Sequence, residues 1–318
     1  MRRLPRPDPP PPEYLLRIRR ELPQPVAHLV LGRGAPGVRV TDLTLPTGDY
    51  PVPVRTYRPV AAGAAPLPLV IYFHGGGFVL GNLPASDWLC GHVAAQAGAV
   101  VVSIGYRLAP EHPAPEPFDD ALTATCWLLE HADEVGADPA RATVTGESAG
   151  GNLAALVALA LRDRRRRDPA APGLTGQVLL YPVLDLTLSS PSVDELSDAP
   201  ILRRALIEWY GRQYLPQGLP GSIPVDDPRV SPMHAIDHRD LPPALVVAAG
   251  QDPLRDDALR YAEALRAAGV RVREVLYPAA LHGFASIPRF EPAAKQALGE
   301  IVEHLRSLGA AGPEGSAG

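Results

Sequence analysis

Ala142–Leu161, ATVTGESAGGNLAALVALAL, is the stretch from which the rest of the chain can be read. ATVT has the β-branched texture of a strand, and LAALVALAL after Asn152 is an apolar helix. Between them lies G-x-S-x-G at a strand-to-helix transition. Such a turn presents Ser148 with its hydroxyl exposed, while Gly146 and Gly150 leave room for the backbone to cross, with Glu147 between glycine and serine. Ser148 is therefore a candidate nucleophile, and a strand feeding directly into a helix is the unit of an α/β fold.

Working outward, the same texture recurs. Continuous apolar runs at LPLVIYF, AVVVSIGY, QVLLYPV and ALVVAAG, with VRVREVLY after them, alternate with helical spacing in FDDALTATCWLLEHA, DDALRYAEALRAAG and AAKQALGEIVEHLRSL. Helices on both faces of a mostly parallel central sheet produce that pattern. Gly269 reads as the residue that ends its helix. VRVTDLTL and VPVRTYRP alternate apolar and polar residues across PTGDYP and read as an antiparallel pair. From Leu186 to about Pro224 strand texture stops. That segment holds one helix candidate, ILRRALIEWYGRQYL, and is too long for an ordinary connection, so it reads as a cap or lid insertion.

Composition narrows the function classes. With 318 residues, 46% of them apolar, the chain can bury a large core. A net charge of −5 argues against a nucleic-acid partner. The basic run, Arg162 and Arg164 to Arg167, follows an apolar helix and reads as its solvated C-terminal end. Cys90 and Cys126 fall in helical stretches and read as reduced, buried thiols, with no metal-ligand spacing. MRRLPRPDPPPPEYLL lacks the apolar core of a secretory signal, and no run reaches membrane-spanning length. A cytoplasmic protein with no membrane partner is the expectation. The Pro-rich start and GAAGPEGSAG at the end read as disordered, with a short helix candidate at Glu13–Leu22.

A serine hydroxyl needs a base, and the base an orienting carboxylate. His304 lies in an amphipathic helix and reads as a surface residue, while His234 and His238 read as loop or cap packing. His282, in YPAALHGF, lies just after the last strand, on the sheet edge where Ser148 lies. Asp252 follows the ALVVAAG strand. Asp256 and Asp257 have a ready role as N-terminal helix acids, so Asp252 is the stronger candidate. The order Ser148, Asp252, His282 is the one a hydrolase sheet requires.

HGGGF, His74 to Phe78, completes the constellation. Attack on an acyl carbonyl places negative charge on its oxygen, and backbone N–H groups aimed there stabilise it. Glycines at Gly75, Gly76 and Gly77 let the main chain approach, and the N–H of Ala149 opens the following helix as a further donor. His74 lies upstream of the serine, out of order for the base, and reads as a brace for the loop.

HGGGF, YRLAPEHPAPEPFDDA, GESAGGN, DPLRDD and LHGF, in this order, resemble the hormone-sensitive-lipase family (bacterial family IV) of α/β-hydrolase carboxylesterases. Glu147 stands where that family more often has Asp. GESAG is also similar to the cholinesterase-like carboxylesterases, which are much longer and use Glu as the acid. The resemblance implies Ser148, Asp252 and His282 as triad and Gly76, Gly77 and Ala149 as oxyanion hole, with no cofactor. It implies an α/β-hydrolase catalytic domain of residues 46–185 and 225–310. The cap would combine an N-terminal segment, residues 1–45, with the insertion at 186–224, leaving a tail at 311–318. YRLAPEHP would stiffen a loop beneath the HGGG turn. A small ester of short to medium acyl chain is the expected partner, with Phe78, Trp209, Tyr210 and Tyr214 as pocket residues; homodimerisation stays open. Two alternatives remain: an arylamide or formamide hydrolase on the same residues, and a non-enzymatic receptor for a small molecule, like the family's gibberellin receptors. Retention of the histidine in LHGF argues against the receptor.

Overall fold

The computed structural model describes residues 30–48, 50–218 and 221–310. The Glu13–Leu22 helix expectation, the Pro-rich start and the 311–318 tail lie outside these residues.

Eight strands form one sheet in the order β1-β2-β4-β3-β5-β6-β7-β8. They are β1 (Val38–Leu45), β2 (Val52–Pro59), β3 (Leu67–Phe73), β4 (Val100–Ile104), β5 (Ala137–Glu147), β6 (Gly176–Leu180), β7 (Ala244–Gln251) and β8 (Val272–Leu281). β1 with β2 and β2 with β4 run antiparallel, and every other neighbouring pair is parallel. The alternation in VRVTDLTL and VPVRTYRP therefore ends as the antiparallel edge of an otherwise parallel sheet. This changes one expected boundary: Val38–Leu45 pairs with β2 along its whole length, so the sheet begins at residue 38 and not after residue 45. Backbone pairing decides this, since β1 satisfies its N–H and C=O groups on β2.

The central strands are apolar in consecutive residues because both sheet faces are covered. Along β3, Leu69, Ile71 and Phe73 pack into one core, and Val70 and Tyr72 into the other. The first core is closed by α2 (Glu116–Glu130), α3 (Ala149–Arg167) and α6 (Arg255–Ala267), the second by α1 (Asp87–Ala97) and α7 (Pro292–Ala310). Gly269 takes a left-handed φ of 81° directly beyond α6, and Val270 N donates to Leu265 O at 3.0 Å, which closes the helix end.

Three burial expectations are corrected. His304 on α7 is 7% exposed, because the helix turns that side of its surface onto the sheet. Arg162 is also buried; its guanidinium donates to the Asp237 and Arg239 carbonyls, so only the later arginines of the run form the solvated end. Cys90 is buried but Cys126 only half-buried, and both thiols are free.

Residues 186–224 carry two helices, α4 (Pro191–Glu195) and α5 (Arg204–Tyr214), and no strand among the described residues. Leu202, Ile207, Trp209, Tyr214 and Leu215 continue the first core outward from the sheet. The segment sits over the edge where the parallel strands end.

Candidate active site

Four strands deliver the site to that edge, as expected of a parallel sheet whose loops follow its C-terminal ends. The 75–77 turn follows β3, Ser148 follows β5, Asp252 follows β7 and His282 follows β8. Ser148 has φ 54° and ψ −118°, left-handed for a residue with a side chain, and it is the N-cap of α3. Its N–H donates to Leu180 O at 2.9 Å, and its carbonyl accepts from Asn152 N at 3.2 Å and Val183 N at 3.3 Å. These bonds offset the strain and aim the hydroxyl away from the sheet. The crossing is tight: a Cβ on Gly150 would lie 2.0 Å from Phe73 O, so only glycine admits the backbone there. Gly146 is packed against Gly150 in turn.

Asp252, His282 and Ser148 form one hydrogen-bonded chain. His282 Nδ1 lies 2.6 Å from Asp252 Oδ2, and Nε2 lies 2.8 Å from Ser148 Oγ. Asp252 is fully buried, and its other oxygen accepts from Leu254 N at 2.9 Å. A carboxylate on Nδ1 holds that nitrogen as the N–H, leaving Nε2 as the acceptor facing the serine. Asp256 and Asp257 are engaged elsewhere. Asp256 pairs with Arg255 and caps Ser192 N, while Asp257 accepts from the Leu184 and Asp185 amides and from the Ser190 hydroxyl. His234 and His238 are also held away from the serine, His234 on Asp185 and His238 on Pro232 O.

Gly76 and Gly77 differ in what they permit. Gly76 has φ 124°, and a Cβ on it would lie 2.2 Å from Leu80 O, so the turn itself requires glycine. Gly77 has φ 62°, which already favours glycine, and the cap adds a second obstacle, since a Cβ would meet the Tyr210 ring at 2.4 Å. Among the described residues neither N–H donates a backbone hydrogen bond, and the Ala149 N–H, at the first turn of α3, has no intrahelical acceptor. Three donors are thus free to serve a developing oxyanion.

His74 lies beneath this turn. Its Nδ1 donates to Gly75 O at 2.8 Å, its carbonyl accepts from the Tyr106 hydroxyl at 2.7 Å, and the two rings stack at 4.3 Å. Burial pushes the His74 imidazole below its usual pKa, so it stays neutral as a brace. Ala109 N donates to Phe78 O at 2.9 Å, which ties the YRLAPEHP segment to the same turn.

Above Ser148 and His282 opens a cavity of about 260 Å³. Its walls are apolar, with Phe78, Val183, Leu186, Leu202, Ile207, Tyr210 and Leu254 among them. Two of the expected pocket residues are not among those lining it. Trp209 and Tyr214 are buried in the core, and Tyr214 stacks on Phe78 at 3.8 Å. Leu206, Ile207, Tyr210 and Gly211 share the face of α5 toward the cavity, and Trp209 is rotated about 100° from Tyr210, away from it. Tyr214 lies on the cavity face but one turn further along, where Phe78 covers its ring. The other wall residues had no motif to announce them. Their only signal was apolar residues in a Pro- and Ser-rich segment without strand texture.

Glu147 lies at the base of the cavity, 7% exposed and against Gly75. It accepts from the Tyr72 hydroxyl on Oε1 and from Tyr181 and Ser286 on Oε2. Among the described residues no Lys or Arg lines the cavity. Among the described residues no group of three or more His, Cys, Asp or Glu is arranged to hold a metal ion. No helix among them is long and apolar enough to cross a membrane.

The chain is similar to known proteins over most of its length. Residues 70–286 match the alpha/beta hydrolase fold family. The chain is 41% identical over 290 residues to esterase LipI of Mycobacterium tuberculosis (strain ATCC 25618 / H37Rv), covering 90% of this chain and 85% of that protein. It is 38% identical over 286 residues to an ethyl acetate hydrolase of Pseudomonas putida, covering 87% and 86%. The solved hyperthermophilic esterase of Pyrobaculum calidifontis superposes with a TM-score of 0.79 at 40% identity, covering 86% of this chain and 87% of that one. The chain belongs to the alpha/beta hydrolase fold family, in its hormone-sensitive-lipase-like branch.

Proposed function

We propose that the protein is a serine carboxylesterase for small, uncharged esters of short- to medium-chain acids. The observation that carries this reading is the Asp252–His282–Ser148 chain, at 2.6 and 2.8 Å, opening into an apolar cavity. Relatives named esterase and ethyl acetate hydrolase support the bond type. At about 260 Å³ the cavity is below the usual range of roughly 300–1,000 Å³ for drug-sized ligands, which favours short acyl chains.

Ser148 Oγ attacks the ester carbonyl carbon as His282 Nε2 takes its proton. Asp252 holds the imidazolium through Nδ1–H. The carbonyl oxygen becomes an oxyanion facing the N–H groups of Gly76, Gly77 and Ala149. Collapse breaks the C–O bond to the alcohol, which leaves with the proton from Nε2. Water then attacks the acyl-enzyme, giving its proton to His282, and the acid departs as Ser148 regains a proton. Residues 186–224 act as the cap, with Ile207 and Tyr210 as walls of the acyl site. The wild-type protein assayed on p-nitrophenyl esters from acetate to palmitate, beside Ser148→Ala, tests the reading. A short- or medium-chain optimum that Ser148→Ala abolishes, by about 10⁶-fold on subtilisin precedent, is the expected result. A silent series, or a variant as active as the wild type, refutes it.

A further inference from the structure

We propose that Glu147 is a positioning residue for His282, acting through a hydroxyl clamp on its Oε2 oxygen. The role rests on the esterase reading above. A carboxylate buried beside the nucleophile is costly to desolvate, and among the described residues Glu147 forms no ion pair. Three hydroxyls hold it instead: Tyr72 on Oε1 at 2.8 Å, Tyr181 on Oε2 at 2.6 Å and Ser286 on Oε2 at 2.6 Å. Burial pushes both phenols well above their usual range, so they remain donors.

The two Oε2 donors flank His282. The Tyr181 ring stands edge-on to the imidazole, with centroids 5.2 Å apart and planes at 66°. Ser286 ends the short turn that follows His282. That turn begins at Gly283, with φ 77°; Ser286 N donates to Gly283 O within it, and the Ala285 backbone also bonds the Tyr181 hydroxyl. The Ser286 hydroxyl is what ties it to the nucleophile's own backbone, because Glu147 immediately precedes Ser148. Asp252 fixes one nitrogen of the ring but leaves its tilt open. Tyr181 and Ser286 fix the tilt, and with it the 2.8 Å between Nε2 and Oγ. Tyr72 reaches the other oxygen from β3 and has no ring contact with His282, so it provides an internal control.

Tyr181→Phe and Ser286→Ala, singly and combined, are compared with Tyr72→Phe in the full chain. The measurements are kcat and KM on p-nitrophenyl butyrate, the rate of Ser148 inactivation by a fluorophosphonate, and Tm. The double variant is expected to lose about 10- to 100-fold in both kcat and inactivation rate, the scale of an ångström-level misplacement, with KM within about twofold. Tyr72→Phe lowers Tm comparably but keeps both rates within about threefold, since it frees only Oε1. Rates in the double variant within about threefold of native, or an equal rate loss in Tyr72→Phe, overturn the clamp. If the double variant does not fold, Ser286→Ala decides: a loss of about tenfold supports the clamp, and a smaller one overturns it. Should the native protein itself resist the fluorophosphonate, the esterase reading falls and the clamp with it.

Discussion

Replacing Asp252 by Asn separates the proposed acid from its two acidic neighbours, and the hydrogen bonds specify how the variant fails. Asp252 Oδ1 accepts from Leu254 N at 2.9 Å and Oδ2 faces His282 Nδ1 at 2.6 Å. In Asp252→Asn the carbonyl oxygen keeps the Leu254 bond, so the amide NH₂ is turned toward Nδ1. That nitrogen must then accept, the imidazole proton moves to Nε2, and Nε2 can no longer take the proton of Ser148 Oγ. Wrong-tautomer variants of this kind lose on the order of 10⁴ in kcat, or about 5 kcal/mol of barrier. The side chain keeps its volume and its bond to Leu254, so Tm changes little. Asp257→Asn reverses the pattern. It places an amide among the Leu184, Asp185 and Ser190 donors, costing about 1–3 kcal/mol of stability while leaving His282 untouched. Turnover of p-nitrophenyl butyrate and thermal unfolding, measured side by side, read both. Asp252→Asn keeping a tenth or more of native kcat, or Asp257→Asn losing kcat on the 10⁴ scale with Tm intact, would refute the assignment.

Gly76→Ala, with its Cβ 2.2 Å from Leu80 O, is expected to lower stability by more than about 3 kcal/mol; a variant with native Tm and reduced kcat would return Gly76 to a purely catalytic role. Burial lowers the His304 pKa from 6.5 to about 4. The folded protein therefore resists its protonation, and the contribution of about 3 kcal/mol is complete above pH 6.5 and lost as pH falls through about 4. Unfolding followed from pH 7 to 4.5 should show a steeper loss in the native protein than in His304→Gln, and parallel curves would contradict this. Among the described residues the cavity is lined by a carboxylate and by no Lys or Arg, so monoethyl succinate should be hydrolysed at least about tenfold less efficiently than ethyl butyrate. Equal kcat/KM for the two esters would remove charge from the selectivity.

The residues legible in the sequence are those that answer to local backbone demands. Glycines at 76, 146 and 150 mark places where the chain turns or crosses itself, and the apolar runs mark strands covered on both faces. Each demand is met within a few residues, so it leaves a motif. His304 was misread for the opposite reason: amphipathic spacing gives a helix two faces, but only the packing of α7 on the sheet determines where the border between them falls. Trp209 shows the same limit inside α5, where being aromatic does not determine which side of the helix meets the cavity, and Tyr214 shows a second one, since it lies on the cavity side but is covered by Phe78.

Glu147 marks where motif reading ends. In the sequence it is one variable position inside GESAG, notable only because the family more often has Asp there. Its hydroxyl partners lie 75, 34 and 139 residues away along the chain. No spacing rule connects a Tyr on β3, a Tyr after β6 and a Ser beyond β8. Sheet order does, because β3, β5 and β6 are neighbours and the loop after β8 folds back to the same edge. The link that Glu147 makes between the nucleophile's strand and the histidine loop becomes readable only once the strands are in order.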